Sequence, residues 1–414
     1  MNAYLTGMIA GLALGVTAMA ENTNTFQGSV ELPDVLRAQD GKVIQTLNDW
    51  EKIRKPELMK TFTEQMYGVM PGKPESIEYT VFESSTNAMN GLATRKQIAI
   101  KMKNAGKETS VDLLLYVPNE QKAPAPLIMC LNFKGNHATT DDPAVKVCEK
   151  PIHSDRKEPY ARNEAAERWP YEMILKRGYA IATMCHGDIV TDSKGPMNNY
   201  VFSLFPELQD RPDNFTAIGA WAWTLSRALD YLITLPEINP KQLTVVGHSR
   251  LGKTALWCGA NDPRFTVVIS NDSGEGGAAL SRRMQGETIA DLCRNFPYWF
   301  CKNYQQYVGH DKEMPFDQHE LISLIAPRHV YVASASEDAW ADPEGEFTSL
   351  KLANPVFKIY GIQNALPADK MPEVEKPVHG YNGYHLRAGK HNIIAYDWGN
   401  YLQFLDEHFG RTQK

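Results

Sequence analysis

Residues 243–254 read Leu-Thr-Val-Val-Gly-His-Ser-Arg-Leu-Gly-Lys-Thr, an apolar run that breaks into a Gly-x-Ser-x-x-Gly turn. The run predicts a buried strand, and the small residues Gly247 and Gly252 allow a sharp turn into a following helix. Such a turn lifts the hydroxyl of Ser249 above the strand ends and is known as a nucleophile elbow. The second glycine comes one residue later than in the usual Gly-x-Ser-x-Gly spacing, and short Gly-x-Ser strings also occur in ordinary turns.

The segments on either side of this turn favour the elbow interpretation. Residues 220–234 have the apolar spacing of an amphipathic helix, and residues 254–260 continue as a helix after the turn. Helix, strand, sharp turn and helix in that order form the local context of the elbow in α/β-hydrolases.

The rest of the chain alternates between strand-like and helix-like patterns. Strands are predicted over 77–82, 95–102, 111–117, 126–133, 179–185, 243–246, 265–270, 330–335 and 356–359, and helices over 164–177, 217–234 and 396–409. Three strands precede the first strong helix, which predicts an antiparallel entry to the sheet. The fold expected is therefore α/β, of the α/β-hydrolase type, with a mostly parallel central sheet, antiparallel N-terminal strands and helices on both faces.

Composition and charge are those of a large globular enzyme. The 414 residues are 43% hydrophobic and 22% charged, enough to bury a large core in one domain over 21–414. A net charge of −6 gives no basic surface for nucleic acid or an anionic membrane. Neither partner is expected.

The first twenty residues have the pattern of an export signal. An apolar run over 4–20 ends in Ala18-Met19-Ala20, an A-x-A cleavage pattern, and polar residues follow. We expect a signal peptide over 1–20 and export to the periplasm or the medium, although no Lys or Arg precedes the run. A membrane anchor is the alternative, but the run is shorter than the ~20 residues that a span needs.

Cysteine usage permits disulfide bonds without requiring them. The even number of cysteines suits an exported chain: Cys130, Cys148, Cys185, Cys258, Cys293 and Cys301. Cys130 and Cys185 lie in strand-like runs and Cys258 lies in a helix, so most of the six are interpreted as small buried apolar residues. No Cys-x-x-Cys pair occurs, so we expect no zinc site and no other metal or cofactor.

A serine becomes a nucleophile only when an imidazole accepts its proton, and the imidazole needs a carboxylate to orient it. His391 lies in a loop before the last helix, which suits the chain order of these hydrolases, and His385 is the second choice. His248 is expected to point into the fold and His319 to have a structural role in a helix.

The carboxylate has more than one candidate. Asp338 follows the strand at 330–335, and Asp272 follows the strand at 265–270, so both lie at the carboxyl edge of the sheet. We favour Asp338 as the main partner of His391 and keep Asp272 as a candidate. Glu275 is a weaker third, with an exposed loop charge as its alternative interpretation.

Several longer stretches carry a family resemblance, at 247–257, 270–283, 317–322, 337–343 and 384–391. With these stretches the chain resembles a bacterial glucuronoyl esterase of carbohydrate esterase family 15. The resemblance implies hydrolysis of the ester between a 4-O-methyl-glucuronic acid branch of glucuronoxylan and a lignin alcohol. We expect the chain to be a monomer. Less favoured alternatives are an acetyl or feruloyl esterase acting on xylan, and a noncatalytic carbohydrate-binding relative.

The same resemblance implies roles for further residues. Arg250 would assist the tetrahedral oxyanion, while Lys253, Glu287 and Trp340 would contact the glucuronate sugar. Two aromatic residues, Tyr298 and Trp299, are expected either to line the same cleft or to belong to the core. The loop 134–137 follows the strand 126–133, at the position where an oxyanion-hole loop is expected. Fungal members carry cysteines beside the serine and the histidine that form a disulfide, and these positions are His248 and Asn392 here.

Overall fold

The computed structural model describes residues 30–121, 123–150 and 158–411, so the predicted signal peptide lies outside the described residues. The chain divides into two units, Met1–Leu32 and Pro33–Lys414, and the second contains all the helices and strands given below. Within the described ranges, no helix has the length and apolar character needed to cross a membrane.

The second unit is built around a single sheet. Its strands are β1 (Ser76–Ala88), β2 (Ala93–Asn104), β3 (Lys107–Pro118), β4 (Ala125–Asn132), β5 (Ala180–Cys185), β6 (Ile238–His248), β7 (Val267–Asn271), β8 (His329–Ala335), β9 (Val378–His379) and β10 (Gly383–Arg387). In the described part of the chain they lie in the order β1-β2-β3-β5-β4-β6-β7-β8-β10-β9. The strands from β5 to β10 in this order are parallel, whereas β1, β2 and β3 enter antiparallel and β9 is an antiparallel edge.

Helices cover both faces of the sheet. They are α1 (Leu47–Asp49), α2 (Lys55–Phe62), α3 (Tyr171–Lys176), α4 (His186–Ile189), α5 (Tyr200–Ser203), α6 (Ala217–Leu232), α7 (Arg250–Asn261), α8 (Ile289–Asn295), α9 (Gln318–Ser323), α10 (Pro343–Leu352), α11 (Asn354–Ile359) and α12 (Ala395–Phe409). Alternate residues of β4 face different cores: Leu127 and Met129 pack with α6 and α7, and Ile128 and Cys130 pack with α3 and α12. This three-layer arrangement confirms the predicted fold class.

Two local predictions differ from the structure, and a strand near the site was not predicted. Residues 356–359 are not a strand but part of α11, because Pro355 starts a helix and a four-residue apolar run fits either element. The predicted helix 164–177 is broken before α3, whose first residue follows Pro170. Strand β10 was not predicted, because its sequence Gly-Tyr-His-Leu-Arg is not a continuous apolar run although all five residues are buried.

The parallel strands bring distant loops together at one edge of the sheet. Ser249 follows β6, Asp272 follows β7, and Asp338 follows β8 after a short turn. His391 lies in the loop that joins β10 to α12. Since β6, β7, β8 and β10 are neighbours, their carboxyl ends place these four side chains at one edge.

Candidate active site

Ser249 occupies a sharp turn between β6 and α7. Its backbone is in a strained conformation, with φ of 59° and ψ of −130°. A side chain at position 247 would place its Cβ 1.8 Å from the carbonyl oxygen of Leu251, so only glycine fits there. Gly252 lets α7 approach the sheet, since a Cβ there would lie 2.9 Å from that of Ser273. The structure thus has the predicted elbow, with its second glycine one position later than usual.

His391 and Asp338 form a hydrogen-bonded pair next to the elbow. Nδ1 of His391 lies 2.6 Å from Oδ2 of Asp338, whose side chain is buried while that of His391 is 41% exposed. The ring of His391 also lies 4.6 Å, centre to centre, from that of His248, the residue beside Ser249. If Nδ1 donates to Asp338, Nε2 is the nitrogen left to accept a proton.

Asp272 lies beside this pair without the same direct contact. One carboxylate oxygen of Asp272, one of Asp338 and a ring nitrogen of His391 all lie within 4.8 Å of one another. Oδ2 of Asp272 accepts hydrogen bonds from the backbone N–H of Asn392 at 3.3 Å and from Arg387 at 3.4 Å. Burial raises the pKa of Asp272 well above its usual value. Asp272 is therefore attached to the loop that carries His391.

Arg387, which sequence reasoning missed, holds that loop in place. Its Nη2 donates to the carbonyl oxygens of Lys390 at 2.6 Å and Asn392 at 2.7 Å, and its Nε donates to Asp397 at 3.1 Å. The side chains of Arg387 and Asp397 are both buried. Together with Asp272, this network supports the histidine loop where the fungal relatives were expected to use a disulfide. The only signal for it in the sequence was its position within the stretch 384–391, which carries the family resemblance.

Arg250 is the first residue of α7 and is held beside the elbow. Its guanidinium lies 4.7 Å from the ring centre of Trp299 and forms an ion pair with Asp192. The hydroxyl of Tyr298 and the indole N–H of Trp299 donate to the same carboxylate at 2.7 and 2.9 Å. Both aromatic residues are buried, and they contribute to the site through Asp192.

Asp192 was also missed, because nothing in its loop sequence marks it. It is buried, which by itself would raise the pKa of its carboxyl group. The hydrogen bond with His186 and the charge of Arg250 reverse this effect and hold the pKa well below its usual range. Asp192 is therefore ionised and keeps the guanidinium of Arg250 in a fixed position.

Lys253, Glu287 and Trp340 lie together. Nζ of Lys253 donates to the carbonyl oxygen of Ser273 at 2.6 Å and lies 3.5 Å from Oε2 of Glu287. The backbone N–H of Glu287 donates to the carbonyl oxygen of Trp340 at 2.9 Å. Lys253 and Glu287 are 3% and 8% exposed, whereas Trp340 is 53% exposed. A buried ion pair beside an exposed indole can bind the hydroxyl groups of a sugar.

The remaining candidate histidines have other partners. His385 is buried in β10, where it contacts Asp397 at 2.8 Å and the hydroxyl of Tyr331 at 3.0 Å. His319 lies in α9 and bonds to the carbonyl oxygen of Pro33 at 2.9 Å. In the loop 134–137, His137 is buried, with Nε2 2.8 Å from the carbonyl oxygen of Tyr160. These rings are used in the packing of the fold.

Two groups of side chains have the spacing of metal ligands in the described ranges. One is Asp272, Asp338 and His391, and the other is Cys148, Cys185 and Asp188. In the first group the Asp338 carboxylate is hydrogen-bonded to Nδ1 of His391, an arrangement that orients a general base.

The carboxyl group of Glu275 is buried, so its alternative interpretation as an exposed loop charge is wrong. Oε1 accepts hydrogen bonds from Ser281 at 2.5 Å and Tyr304 at 3.0 Å. Burial raises the pKa of Glu275 to about 8, against the lowering effect of the Ser281 hydroxyl. Glu275 bonds to these hydroxyl groups and not to His391.

Replacing Glu275 is expected to flatten the pH dependence of stability. Because the pKa of Glu275 is higher in the folded chain, the folded chain binds this proton more tightly than the unfolded chain does. Stability is therefore lost as the pH rises from 4.5, the ordinary pKa of a glutamate, to about 8. Glu275→Gln keeps the acceptor oxygen but does not titrate. Over this pH range the free energy of unfolding of the variant should therefore fall less than that of the parent, by up to a few kcal/mol. Urea unfolding at several pH values measures this, with the exposed Glu120→Gln as control. If the free energies of unfolding of the parent and of Glu275→Gln changed with pH in parallel, the prediction would be contradicted.

Comparison with known proteins places this geometry in a family. The family model described as glucuronyl esterase of fungi matches residues 164–361. A solved glucuronoyl esterase from Solibacter usitatus is 40% identical with a TM-score of 0.86, over 92% of this chain and 98% of that one. A promiscuous CE15 esterase from a marine bacterial metagenome is 39% identical with a TM-score of 0.85, over 91% and 96% of the two chains. A 4-O-methyl-glucuronoyl methylesterase from Schizophyllum commune is 26% identical over 80% of this chain and 74% of its own.

The fold and the site define an α/β-hydrolase with its serine on a nucleophile elbow. Within that class, the chain belongs to carbohydrate esterase family 15, the glucuronoyl esterases. The predicted family resemblance is confirmed.

Proposed function

We propose that this protein hydrolyses esters between 4-O-methyl-glucuronic acid branches of glucuronoxylan and lignin alcohols. The observation that carries the proposal is the buried Lys253–Glu287 pair beside Trp340. Lys253 lies on α7, which begins directly after the elbow serine, and Trp340 lies after β8 in the same loop as Asp338. Membership of the glucuronoyl esterase family supports the same substrate class. A simple acetyl esterase has no need for a buried ion pair that binds sugar hydroxyl groups.

In the proposed mechanism, Ser249 attacks the ester carbonyl while His391 accepts the serine proton. Asp338 holds the ring through Nδ1 and stabilises the imidazolium that forms. Negative charge develops on the carbonyl oxygen, and Arg250 supplies a fixed positive charge there. Collapse of the tetrahedral intermediate expels the alcohol, which takes the proton from His391, and leaves the glucuronoyl group on the serine. Water, activated by His391, then releases glucuronic acid.

The test compares a glucuronate ester with a simple ester. We expect the purified chain to hydrolyse benzyl glucuronate with a much higher kcat/KM than para-nitrophenyl acetate. Equal efficiency on the two esters would favour the acetyl or feruloyl alternatives. No turnover of either would favour a noncatalytic carbohydrate-binding protein.

Glu287→Ala is expected to reduce discrimination between glucuronate and galacturonate esters. Inverting the hydroxyl group at C4 leaves a buried polar group unpaired in the parent, at a cost of roughly 1 to 3 kcal/mol. The parent should therefore prefer benzyl glucuronate by about tenfold to a hundredfold in kcat/KM. The exposed Glu120→Gln variant serves as control. A parent without this preference, or a Glu287→Ala variant that keeps it, would contradict the role of Glu287 in sugar recognition.

We further propose that the chain is exported as a monomer after removal of residues 1–20, which leaves one catalytic domain over 21–414. The A-x-A pattern at 18–20 supports the cleavage, and the position of the substrate outside cells supports export. N-terminal sequencing of the secreted protein tests the removal of residues 1–20, and the mass of the protein in solution tests the monomeric state.

A further inference from the structure

Two thiol groups and a carboxyl group cluster where β5 ends. The sulfur atoms of Cys148 and Cys185 and a carboxylate oxygen of Asp188 lie within 4.8 Å of one another. The thiol of Cys148 donates to Oδ1 of Asp188 at 3.0 Å. Cys185 is buried and Cys148 is half-buried, so a reagent in solution reaches the pair through Cys148.

The two cysteines belong to two different segments of the fold. The backbone N–H of Cys148 donates to Nδ1 of His137 at 3.1 Å, in the loop that follows β4. Cys185 directly precedes His186, which contacts Asp192 at 3.1 Å, and Asp192 pairs with Arg250. A bond between the cysteines would join that loop to the segment that holds Arg250.

The surroundings favour a disulfide bond over a metal ion. The ammonium group of Lys150 donates to the backbone oxygen of Asp188 at 3.2 Å, so a cation at this place would face a positive charge. A disulfide is neutral and costs little to bury.

We propose that Cys148 and Cys185 are a redox pair that forms an intramolecular disulfide by exchange with a small-molecule disulfide. The Cys148 thiolate, after loss of its proton to Asp188, attacks oxidised glutathione, forming a mixed disulfide and releasing one glutathione thiolate. The Cys185 thiol then gives its proton to the released glutathione thiolate, and its sulfur attacks the Cys148 sulfur. The second glutathione leaves as a thiolate and takes the proton held by Asp188. Two protons and two electrons pass from the protein to the glutathione disulfide, which becomes two glutathione thiols.

The six cysteines are free in the structure, which therefore shows the dithiol form of the pair. A disulfide has its sulfur atoms about 2 Å apart, so the two side chains turn towards each other when it forms. The bond would restrict the unfolded chain over the segment between the two cysteines and raise the Tm by roughly 4 °C.

The test uses the full chain, treated with oxidised glutathione, alkylated and mapped by mass spectrometry. We expect one cross-linked peptide containing Cys148 and Cys185, and a Tm that falls by roughly 4 °C on reduction. This fall should be absent from Cys148→Ser and Cys185→Ser and present in the control Cys130→Ala, a cysteine of β4 outside the cluster.

Two results would overturn the proposal. One is complete alkylation of both cysteines after oxidation. The other is one equivalent of bound zinc that protects them until a chelator removes it. The mapping needs only the parent chain, so it decides the question even where Cys185→Ser does not fold. Because its readout is a covalent bond, the test is independent of the proposed esterase activity.

Discussion

Ser249→Ala is expected to lower kcat on benzyl glucuronate by several orders of magnitude while leaving substrate binding nearly unchanged. The substitution removes the attacking oxygen but hardly alters the surface against which the sugar lies. Lys253, Glu287 and Trp340 stay in place, since none of them depends on the serine hydroxyl for a hydrogen bond. Steady-state kinetics gives the loss of kcat, and calorimetry with glucuronic acid or a slowly hydrolysed ester gives the affinity.

Ser203→Ala is a matched control for this experiment. Its hydroxyl donates to the carbonyl oxygen of Tyr200 at 2.6 Å in α5, so the variant loses a serine hydroxyl outside the site and should keep parental kcat. Residual activity of Ser249→Ala above a few per cent would point to another nucleophile. A large loss of affinity would place the serine hydroxyl in substrate binding instead.

Asp338→Asn is expected to lose more activity than Asp272→Asn, by at least about tenfold in kcat. Asp338 is hydrogen-bonded to Nδ1 of His391 at 2.6 Å, and an amide there can present N–H to the ring and favour the wrong tautomer. Asp272 instead bonds to the backbone of Asn392 and to Arg387, so its replacement weakens the support of the histidine loop. The double variant should approach the inactivity of His391→Ala.

The comparison needs kcat for all four variants on one ester, with melting temperatures to show that each is folded. Asp213→Asn, which breaks an ion pair with Arg211 outside the site, is the control for losing a carboxylate. Equal and small losses in both single variants and in the double variant would mean that neither aspartate orients His391. A larger loss in Asp272→Asn would make Asp272 the main partner.

Much of the fold could be predicted because its signals are local. The apolar run of β4 is buried along its whole length, as expected for a strand covered on both faces. The helical spacing before the elbow predicted α6 to within two residues of its observed end. Short segments were harder to predict from the sequence. Residues 356–359 have an apolar run but form a helix, whereas β10 has no continuous apolar run but is buried by its neighbours.

The candidate site divides in the same way. Ser249, His391 and the two aspartates could be proposed from the sequence because each follows a strand or precedes a helix in a recognisable pattern, and the structure places them at one edge of the sheet. Asp192 was missed because its loop has no motif and its partner Arg250 is far away in sequence. Arg387 and Asp397 were missed because β10, the strand that carries Arg387, was not predicted. The burial of Glu275 was likewise invisible, since a glycine-rich loop reads as exposed.

By itself, the sequence determined the α/β class, the elbow at Ser249 and the family, because these depend on apolar periodicity, glycine positions and contiguous motifs. Only the tertiary structure decided that Asp338 bonds to His391, that Arg387 holds the histidine loop and that Cys148 lies beside Cys185. The physical reason is that Asp338 and His391, like Cys148 and Cys185, are far apart in sequence, while the bonds from Arg387 depend on the path of the loop after β10. Their distances depend on packing across the whole domain, which no local pattern encodes.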